Sequence, residues 1–365
     1  MAKKKGKKRP APRQNPQQAA KQPPRPTPAP DQDPADTTIE GTFDLIEETI
    51  QPQIATLEEL RGHTVIAYFI DDGGQLADEQ MLHLYEHLRR IGQQKKIALW
   101  LHSRGGSTVV PVKIVALVRS FCDQFAVLVP YRCHSAATHI AMGADEIVMT
   151  EMSELGPVDP SRSHPLLPRV KGRDGEELPL NVSVQDLRHV LSFIEREIGG
   201  EEIPPDAAAT IYTALFDKVH PLAIGGLEQS YELAHQVSDL VLSTHMDVGT
   251  EAEDIRHISD RIGEHYKGHT FPVTRDEAKK IGLKVVDANP AETDAIWALY
   301  TAYTNIGISG AGQINGDPAQ IARVGHIDTV YGTTLGVQLT SKRQPQNQMT
   351  QWQSKWLTEP KPAGT

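Results

Sequence analysis

The chain has 365 residues, of which 39% are hydrophobic, and a formal net charge of −10 at pH 7. Nine of its 37 basic residues and none of its acidic residues lie in the first thirty positions, which leaves 28 basic against 47 acidic residues in the rest. The length is sufficient for one large or two ordinary domains with a buried core. The acidic balance argues against nucleic-acid binding by the folded part, and we predict no such partner for it.

The N-terminal segment, residues 1–37, is basic, has nine prolines by position 34 and contains no apolar run. Such a segment cannot bury enough surface to offset the entropy lost on ordering, so we predict a disordered tail. Its lysines are not followed by the apolar region of a secretory signal, and no stretch approaches the roughly 18 apolar residues of a membrane span. Two cysteines, Cys122 and Cys133, do not suggest a disulfide framework, and a cytoplasmic protein is expected.

The first part of the folded region alternates short apolar runs with stretches of helical periodicity. The apolar runs are β-branched or continuous and end in polar or glycine-rich residues, which predicts strands at 64–70, 96–102, 126–130 and 146–149. Helical stretches of ten to fifteen residues separate them, as at 77–91. This alternation indicates repeated βαβ units and a parallel sheet covered on both faces. The predicted fold class is α/β.

The sequence from residue 183 onward has a helical pattern, which includes a long periodic region from Leu222 to about Ile262. A short helix ending at Gly282 and a short strand follow. After Tyr303 the sequence is rich in glycine, glutamine and threonine and has no sustained period. We therefore predict a tail (1–37), a main domain (38–290), and a C-terminal helix with a loose tail (291–365).

Two loops that follow successive predicted strands carry candidate chemistry. HSRGGS follows the second strand and YRCHS follows the third, so both lie at the carboxyl edge of the sheet, where open α/β sheets bind ligands. A glycine pair exposes backbone N–H groups there, and Ser135 opens a helix whose first N–H groups favour an anion. The N–H groups of Gly106 and Ala136 could form an oxyanion hole for an acyl intermediate on the Ser135 hydroxyl.

The same residues also have ordinary structural explanations. A serine before an apolar run is a common helix N-cap, worth about 1 kcal/mol. A Gly-Gly pair between a strand and a helix is a common turn. Because helix caps far outnumber nucleophiles, these residues alone favour the cap for Ser135 and leave the nucleophile as the alternative.

A nucleophilic serine also needs a base. His220 as the base, with Asp159 orienting its ring, would give the chain order Ser, Asp, His. Lys218 could act instead if burial lowered its pKa. The alternatives are a helix start before Pro221 for His220, a turn before proline for Asp159, and a solvated amine for Lys218.

We predict no metal ion and no cofactor. His83 and His87 have the i, i+4 spacing of a metal-binding pair, but a solvated helix face is favoured when no further ligands are evident. The segment GAGQIN at 310–315 lacks the last glycine of a dinucleotide-binding loop. Gly105 and His134 are candidate substrate-binding residues. His134 and His139 flank the serine, and His134, which precedes it, is expected to line the site, but nothing in the sequence fixes its role.

The order of these segments resembles the Clp-protease and crotonase superfamily, and within it the serine dehydrogenase proteinases, also described as Clp-fold serine proteinases. The resemblance covers about residues 60–287. It rests on HSRGGS, on the 29-residue step from Gly106 to Ser135, on ADEIVM followed by LGPVDPS, on KVHPLAIGG at 218–226, and on FPVTRDEAKKIGL at 271–283.

The resemblance implies a Clp/crotonase-like spiral of βαβ units with a helical C-terminal part. It also implies a serine endopeptidase, in which Ser135 is the nucleophile, Asp159 the orienting acid and His220 the base, and in which Gly106 and Ala136 fall at the oxyanion-hole positions. The resemblance further implies peptide or protein substrates and homo-oligomeric assembly. Many relatives also have a membrane segment. This chain has a basic, proline-rich N-terminal segment in place of that membrane segment.

The sequence departs from the family pattern in ways that leave alternatives open. Related signal peptide peptidases use a Ser–Lys dyad, which keeps Lys218 as an alternative base. Arg104 replaces a proline of the family turn, and Ala136 and Ala137 replace glycines after the serine. A catalytically inactive Clp-fold scaffold that binds peptides or a partner is the second hypothesis. Crotonase-like acyl-CoA chemistry is the third, since the glutamates expected for it are not evident.

Overall fold

The structure, a computed structural model, describes residues 39–158, 165–171, 177–179, 184–197, 203–266, 268, 270–307, 311–314, 317–344 and 346–359. All of them belong to one unit, residues 36–365. The predicted disordered tail, the segment GAGQIN in part and Asp159 lie outside the described residues.

The helices and strands are numbered in chain order. The helices are α1 (Ile39–Thr49), α2 (Gln51–Arg61), α3 (Gln80–Ile91), α4 (Val110–Arg119), α5 (Ala136–Met142), α6 (Val184–Glu197), α7 (Pro205–Lys218), α8 (Pro221–Leu242), α9 (Ala252–Asp260), α10 (Arg275–Lys280) and α11 (Pro290–Asn305). A π-helical turn, Arg261–His265, continues α9. The strands are β1 (Thr64–Ile70), β2 (Gln94–His102), β3 (Cys122–Val129), β4 (Arg132–Cys133), β5 (Glu146–Met149), β6 (Glu154–Leu155), β7 (Arg169–Lys171), β8 (Glu177–Pro179), β9 (Val273–Thr274), β10 (Val285–Asp287), β11 (Ala311–Ile314), β12 (Asp317–Thr329), β13 (Gly332–Ser341) and β14 (Gln348–Trp356).

The main sheet has the strand order β10-β5-β3-β2-β1-β12-β13-β14, with β11 paired to β12. The strands from β10 to β1 are all parallel to their neighbours, and the helices α3, α4 and α5 lie between successive strands in the chain. β12 joins the sheet antiparallel to β1. The sequence-predicted α/β class with repeated βαβ units is therefore confirmed.

The central strands are buried on both faces of the sheet. In β1, Ile66, Tyr68 and Ile70 belong to the core beneath α3, α4, α5 and α8, while Val65 and Phe69 face the core beneath α2 and α11. Two cores on opposite faces explain why the parallel strands are apolar without a period-2 alternation. The same strands end at one edge, which carries the loops that follow β2 and β3.

The C-terminal part differs from the prediction. Helix α11 matches the predicted C-terminal helix, but residues 311–356 include four strands where a loose tail was expected. β12 and β13 pair through a two-residue connection, from Thr329 to Gly332, and β12 also pairs with β1. Threonine favours strands, but frequent glycine and glutamine hide the alternation. β12 pairs with β1, which is distant in the sequence, and this pairing stabilises the strands. No local sequence pattern indicates it.

His87 also differs from the expectation of a solvated helix face. Its ring is fully buried, with Nδ1 3.2 Å from Thr329 Oγ1 and Nε2 3.0 Å from Thr334 Oγ1. Burial lowers the pKa of His87 to about 3. α3 packs against β12, which brings His87 into contact with Thr329 of β12 and Thr334 of β13.

Within the described residues, no helix combines the length and the hydrophobicity that spanning a bilayer requires.

A buried carboxyl group on β12 predicts a pH-dependent stability. Asp328 is fully buried and accepts a hydrogen bond of 2.5 Å from the Tyr303 hydroxyl. Burial raises its pKa to about 7, whereas an unfolded aspartate titrates near 4. The folded state therefore holds a proton that the unfolded state loses, so wild-type stability is expected to fall as the pH rises from about 4 to about 7.

Asp328→Asn is expected to remove this loss. Each pKa unit corresponds to about 1.4 kcal/mol, so the variant should gain a few kcal/mol relative to wild type between pH 4 and pH 8. Denaturant unfolding of both proteins at a series of pH values measures the difference. Asp294→Asn, at an exposed position on α11, is the control and should follow wild type. A pH-independent difference for Asp328→Asn would contradict the assignment.

Candidate active site

The loops after β2 and β3 meet at a cavity of about 370 Å³. Ser103 forms an isolated parallel bridge with Cys133, which draws the two loops together, and Leu76 forms another with Gly106. The cavity is lined by Asp72, Gly74, Gln75, Arg104, Gly105, Gly106, Thr108, Ser135, Ala136, His139, Val158 and Ala234. The structure thus brings together the predicted nucleophile, both predicted oxyanion-hole residues and Gly105.

Ser135 has a strained backbone. Its φ of 51° and ψ of −118° make it the one non-glycine residue with positive φ among the described residues. A side chain in this conformation costs about 1–3 kcal/mol and persists where the surrounding structure enforces it, often at functional sites. Ser135 occupies the N-cap position of α5, yet its side chain makes no capping hydrogen bond. The hydroxyl is therefore not used as an ordinary cap, although the position is that of one.

The glycine pair allows the loop after β2 to approach Ser135. Gly105 has a φ of 109°, and a Cβ there would lie 2.8 Å from Ser135 Cβ and 2.9 Å from the His134 carbonyl oxygen. Gly106 has a φ of 155°, and a Cβ there would lie 2.3 Å from the Leu76 carbonyl oxygen. Real Cβ atoms do not approach backbone this closely, so both positions require glycine.

Two backbone N–H groups beside Ser135 remain available. The Leu76 N–H donates to the Gly105 carbonyl at 2.9 Å, and the Ser107 N–H donates to the Leu76 carbonyl at 2.8 Å. Because these two hydrogen bonds form the bridge between Leu76 and Gly106, the N–H of Gly106 points away from Leu76. Among the described residues, neither the Gly106 N–H nor the Ala136 N–H donates a hydrogen bond to the protein. A pair of free N–H groups in one cavity with a serine hydroxyl suits an oxyanion.

His139 is a buried histidine in the same cavity. Its Nε2 lies 3.2 Å from the Ala234 carbonyl oxygen and 3.0 Å from Ser238 Oγ, both on α8. A carbonyl oxygen can only accept, so the proton is on Nε2 and the lone pair on Nδ1. Nδ1 is buried and has no hydrogen-bond partner among the described residues. Burial lowers the pKa of His139 to about 4, which keeps the ring neutral near pH 7.

Charged groups lie at the open side of the cavity. The Arg104 guanidinium donates to both carboxylate oxygens of Asp72, at 2.7 and 3.0 Å, and both side chains are exposed. Arg132 lies 3.7 Å from the same carboxylate. Exposed ion pairs contribute little to stability, so this pair is best understood as part of the cavity's polar rim. Asp72 was not identified from the sequence.

The remaining predicted residues lie outside the described cavity lining. His134 Nε2 is 3.1 Å from Glu154 Oε1 on β6. Lys218, at the end of α7, is exposed and paired with Asp217 at 2.8 Å. His220 is also exposed, and its Nδ1 accepts the Leu222 N–H at 3.1 Å as the N-cap of α8. The structure does not bring Lys218 or His220 together with Ser135, and their catalytic roles stay predictions.

The sequence alone assigned no role to His139, although its spacing from Ser135 was a possible signal. It follows Ser135 by four residues, one helical turn into α5, in a segment that is otherwise small and apolar. Its partners, Ala234 and Ser238, are about a hundred residues away in the sequence. Only the packing of α8 on α5 shows that the ring lines the cavity.

Comparison with known proteins agrees with the sequence-based resemblance. Residues 76–169 match the family described as ClpP-like SDH-type serine proteinase. This segment contains the glycine pair, Ser135 and the strand after it. The predicted resemblance to Clp-fold serine proteinases is confirmed.

Two uncharacterized proteins of Methanocaldococcus jannaschii are similar in sequence. MJ0137 is 24% identical over 58% of this chain and 61% of its own length, and MJ1495 is 22% identical over 39% and 53%. The match therefore spans less than two thirds of either relative.

Among solved structures, two mutants of 1510-N, a membrane-bound stomatin-specific protease, are similar. They have TM-scores of 0.34 and 0.32, at 14% and 17% identity. The matches cover 67% and 60% of this chain and 86% and 74% of those chains. The second of those structures holds a substrate peptide.

Proposed function

We propose that this protein is a serine peptidase that cleaves peptide bonds through an acyl-enzyme on Ser135. The observation that carries the proposal is the strained Ser135, whose hydroxyl makes no capping bond, in one cavity with the free N–H groups of Gly106 and Ala136. The match of residues 76–169 to a serine proteinase family supports it.

The geometry supports acyl transfer in the following way. The Ser135 oxygen attacks the carbonyl carbon of the scissile peptide bond as a base takes its proton, and the carbonyl oxygen becomes an oxyanion. The N–H groups of Gly106 and Ala136 stabilise this oxyanion, an effect commonly worth 10²- to 10³-fold in rate for one donor. The same base then protonates the leaving amine, and water hydrolyses the ester on Ser135.

Three side chains are candidates for the base. A lysine base needs burial to lose its proton, whereas Lys218 is exposed and paired with Asp217. His220 uses its Nδ1 lone pair to cap α8 and would have to release the Leu222 N–H to act with that nitrogen. His139 lines the cavity, is neutral and has an Nδ1 lone pair that makes no hydrogen bond among the described residues, Ser135 included, so it would have to reach the Ser135 hydroxyl when substrate binds. We therefore favour His139, while His220 with Asp159, or Lys218, is what the family resemblance implies.

The proposed substrates are peptides or proteins, and no cofactor takes part. Homo-oligomeric assembly and a cytoplasmic location remain proposals from the resemblance and the composition. An inactive peptide-binding scaffold is the alternative function. Whether Ser135 reacts as a nucleophile distinguishes the scaffold from the peptidase. No observation favours acyl-CoA chemistry over these.

A fluorophosphonate probe tests the proposal, since it reacts with an activated serine and not with an inert one. We expect wild-type protein to be labelled at Ser135, and Ser135→Ala to show no labelling. Mass spectrometry of the labelled peptide locates the adduct. A folded wild-type protein that is not labelled would contradict the peptidase and leave the scaffold.

Ser135→Gly serves as the control for folding. Glycine tolerates positive φ, so this variant loses the hydroxyl and also the backbone strain, whereas Ser135→Ala keeps the strain. Neither variant should be labelled, and the glycine variant should be more stable than the alanine variant by about 1 kcal/mol. Loss of labelling in both then reflects the missing hydroxyl.

A further inference from the structure

A second cluster of ligating side chains lies between α8 and the end of α9. It borders a cavity of about 510 Å³ whose described lining includes Tyr231, Glu232, His235, Asp239, Asp260 and Glu264. None of these residues lines the Ser135 cavity, so the cluster is separate from the peptidase site.

Three residues of this cluster are placed to hold one metal ion. One ligand atom each from His235, Asp260 and Glu264 lies within 4.8 Å of the others. His235 Nε2 is 3.8 Å from Glu264 Oε1, while Asp260 Oδ1 is 3.8 Å from the other ring nitrogen, Nδ1. Two atoms bound to one ion at about 2.1 Å each are at most about 4.2 Å apart. Glu264 is already within this distance of Nε2, and rotation of the exposed Asp260 side chain would bring its carboxylate from the Nδ1 side of the ring to the same ion.

The histidine has an unused nitrogen at this position. His235 Nδ1 lies 3.4 Å from Ser259 Oγ, while Nε2 is inaccessible to solvent and has no hydrogen-bond partner among the described residues. A metal ion would satisfy this nitrogen, since a histidine that binds metal through one nitrogen usually has the other hydrogen-bonded. Gly263 gives the ring room, because a Cβ there would lie 2.9 Å from Nε2.

The surrounding charge also favours a cation. Four carboxylates line the cavity, and its described lining contains no lysine or arginine. The nearby Arg188 guanidinium lies 4.3 Å from the centre of the Tyr231 ring, is paired with Glu228 at 3.0 Å and also interacts electrostatically with Glu264. One guanidinium does not balance the four carboxylates of the cavity. Asp260, the last residue of α9, and Glu264, in the π-helical turn that follows, both face His235 on α8; π-helical turns are frequent at functional sites.

We propose that His235, Asp260 and Glu264 form a binding site for a divalent transition-metal ion, with Zn²⁺ bound more tightly than Mn²⁺. One imidazole and two carboxylates make a mixed nitrogen and oxygen set, which suits these ions better than Mg²⁺. The three ligands come from α8, from the last residue of α9 and from the π-helical turn.

The site has a structural consequence for the peptidase cavity. The ion joins α8 to the π-helical turn, and the Ile262 carbonyl of that turn accepts a hydrogen bond of 3.2 Å from the N–H of Val158, a cavity-lining residue. Bound metal is therefore expected to stabilise the fold without touching Ser135.

Calorimetric titration of the chelator-treated full chain with ZnCl₂, MnCl₂ and MgCl₂ tests the proposal. We expect one Zn²⁺ per chain, with Zn²⁺ bound at least tenfold more tightly than Mn²⁺, and no saturable Mg²⁺ binding. His235→Asn combined with Asp260→Asn should weaken Zn²⁺ binding at least tenfold and should abolish the rise in Tm that Zn²⁺ causes in wild type.

His257→Asn combined with Asp254→Asn is the matched control, since both residues are exposed on α9 outside the cluster. It should bind Zn²⁺ like wild type. Glu264→Gln keeps an acceptor for the Tyr231 hydroxyl and provides a second variant if the first does not fold; it too should lose at least tenfold in affinity. Unchanged Zn²⁺ affinity in the cluster variants, or Mg²⁺ bound as tightly as Zn²⁺, would overturn the proposal.

Discussion

Replacing His139 with glutamine is expected to slow peptide hydrolysis and fluorophosphonate labelling by about 10⁴-fold, the usual effect of removing the base of a serine nucleophile. His139 lines the Ser135 cavity, and its tautomer leaves a lone pair on Nδ1. Glutamine can still donate a hydrogen bond to the Ala234 carbonyl, as His139 Nε2 does, but it cannot take up a proton. The loss should therefore appear in rate, while Tm changes little.

The same substitution at the other two candidates completes the test. His220→Gln and Lys218→Gln both alter exposed side chains, so both variants should fold, although His220→Gln also removes the side-chain cap of α8, worth about 1 kcal/mol. If His139 is the base, both variants should stay within tenfold of wild type. A 10⁴-fold loss in either one, with His139→Gln nearly active, would assign the base as the family resemblance implies and would contradict the role of His139. Rates for all four proteins at one pH decide this.

The pH profile gives an independent check on the same assignment. Because burial lowers the pKa of His139 to about 4, the ring stays neutral above that pH and can accept a proton. A His139 base therefore predicts acylation rates that are flat from about pH 6 to pH 8 and fall only in acid. A rate that rises steeply across this range would point to another base.

The parallel part of the sheet was predictable because its physical cause is local. β1, β2, β3 and β5 are buried on both faces, so each is a short apolar run, and polar or glycine-rich residues follow. The strands β12 to β14 carry glycine, threonine and glutamine, and they are stabilised by pairing with β1 and with each other. The pairing of β12 with β1 links residues more than two hundred positions apart, so no local pattern indicates it.

The candidate site, like the fold, was predictable from the sequence only in part. Gly105, Gly106 and Ser135 were identified because loops at the ends of adjacent parallel strands must meet at one sheet edge. Whether Ser135 acts as a cap could not be decided without its φ and its missing cap bond. The role of His139 depends on α8 packing over α5, and the metal cluster depends on a π-helical turn facing α8. Both depend on contacts between separate helices, which residue type and spacing do not reveal.

Replacing Gly105 with alanine should damage the oxyanion hole without removing any catalytic side chain. The new Cβ would lie 2.8 Å from Ser135 Cβ and 2.9 Å from the His134 carbonyl oxygen, and alanine is disfavoured at a φ of 109°. The loop must therefore move away from Ser135 and carry the Gly106 N–H with it. We expect labelling and hydrolysis to fall about 10²- to 10³-fold, as for the loss of one oxyanion donor.

Gly73→Ala is the matched control, because Gly73 lies in the neighbouring loop, has no positive φ, and a Cβ there would meet nothing within 4 Å. This variant should keep wild-type rates and stability. Gly105→Ala should also lower Tm, since a strained alanine replaces a permissive glycine. The informative measurement is the labelling rate of the folded fraction, measured below the Tm of both variants. If that rate is unchanged in Gly105→Ala, the Gly106 N–H does not stabilise the transition state, and the oxyanion would have to be held by Ala136 alone.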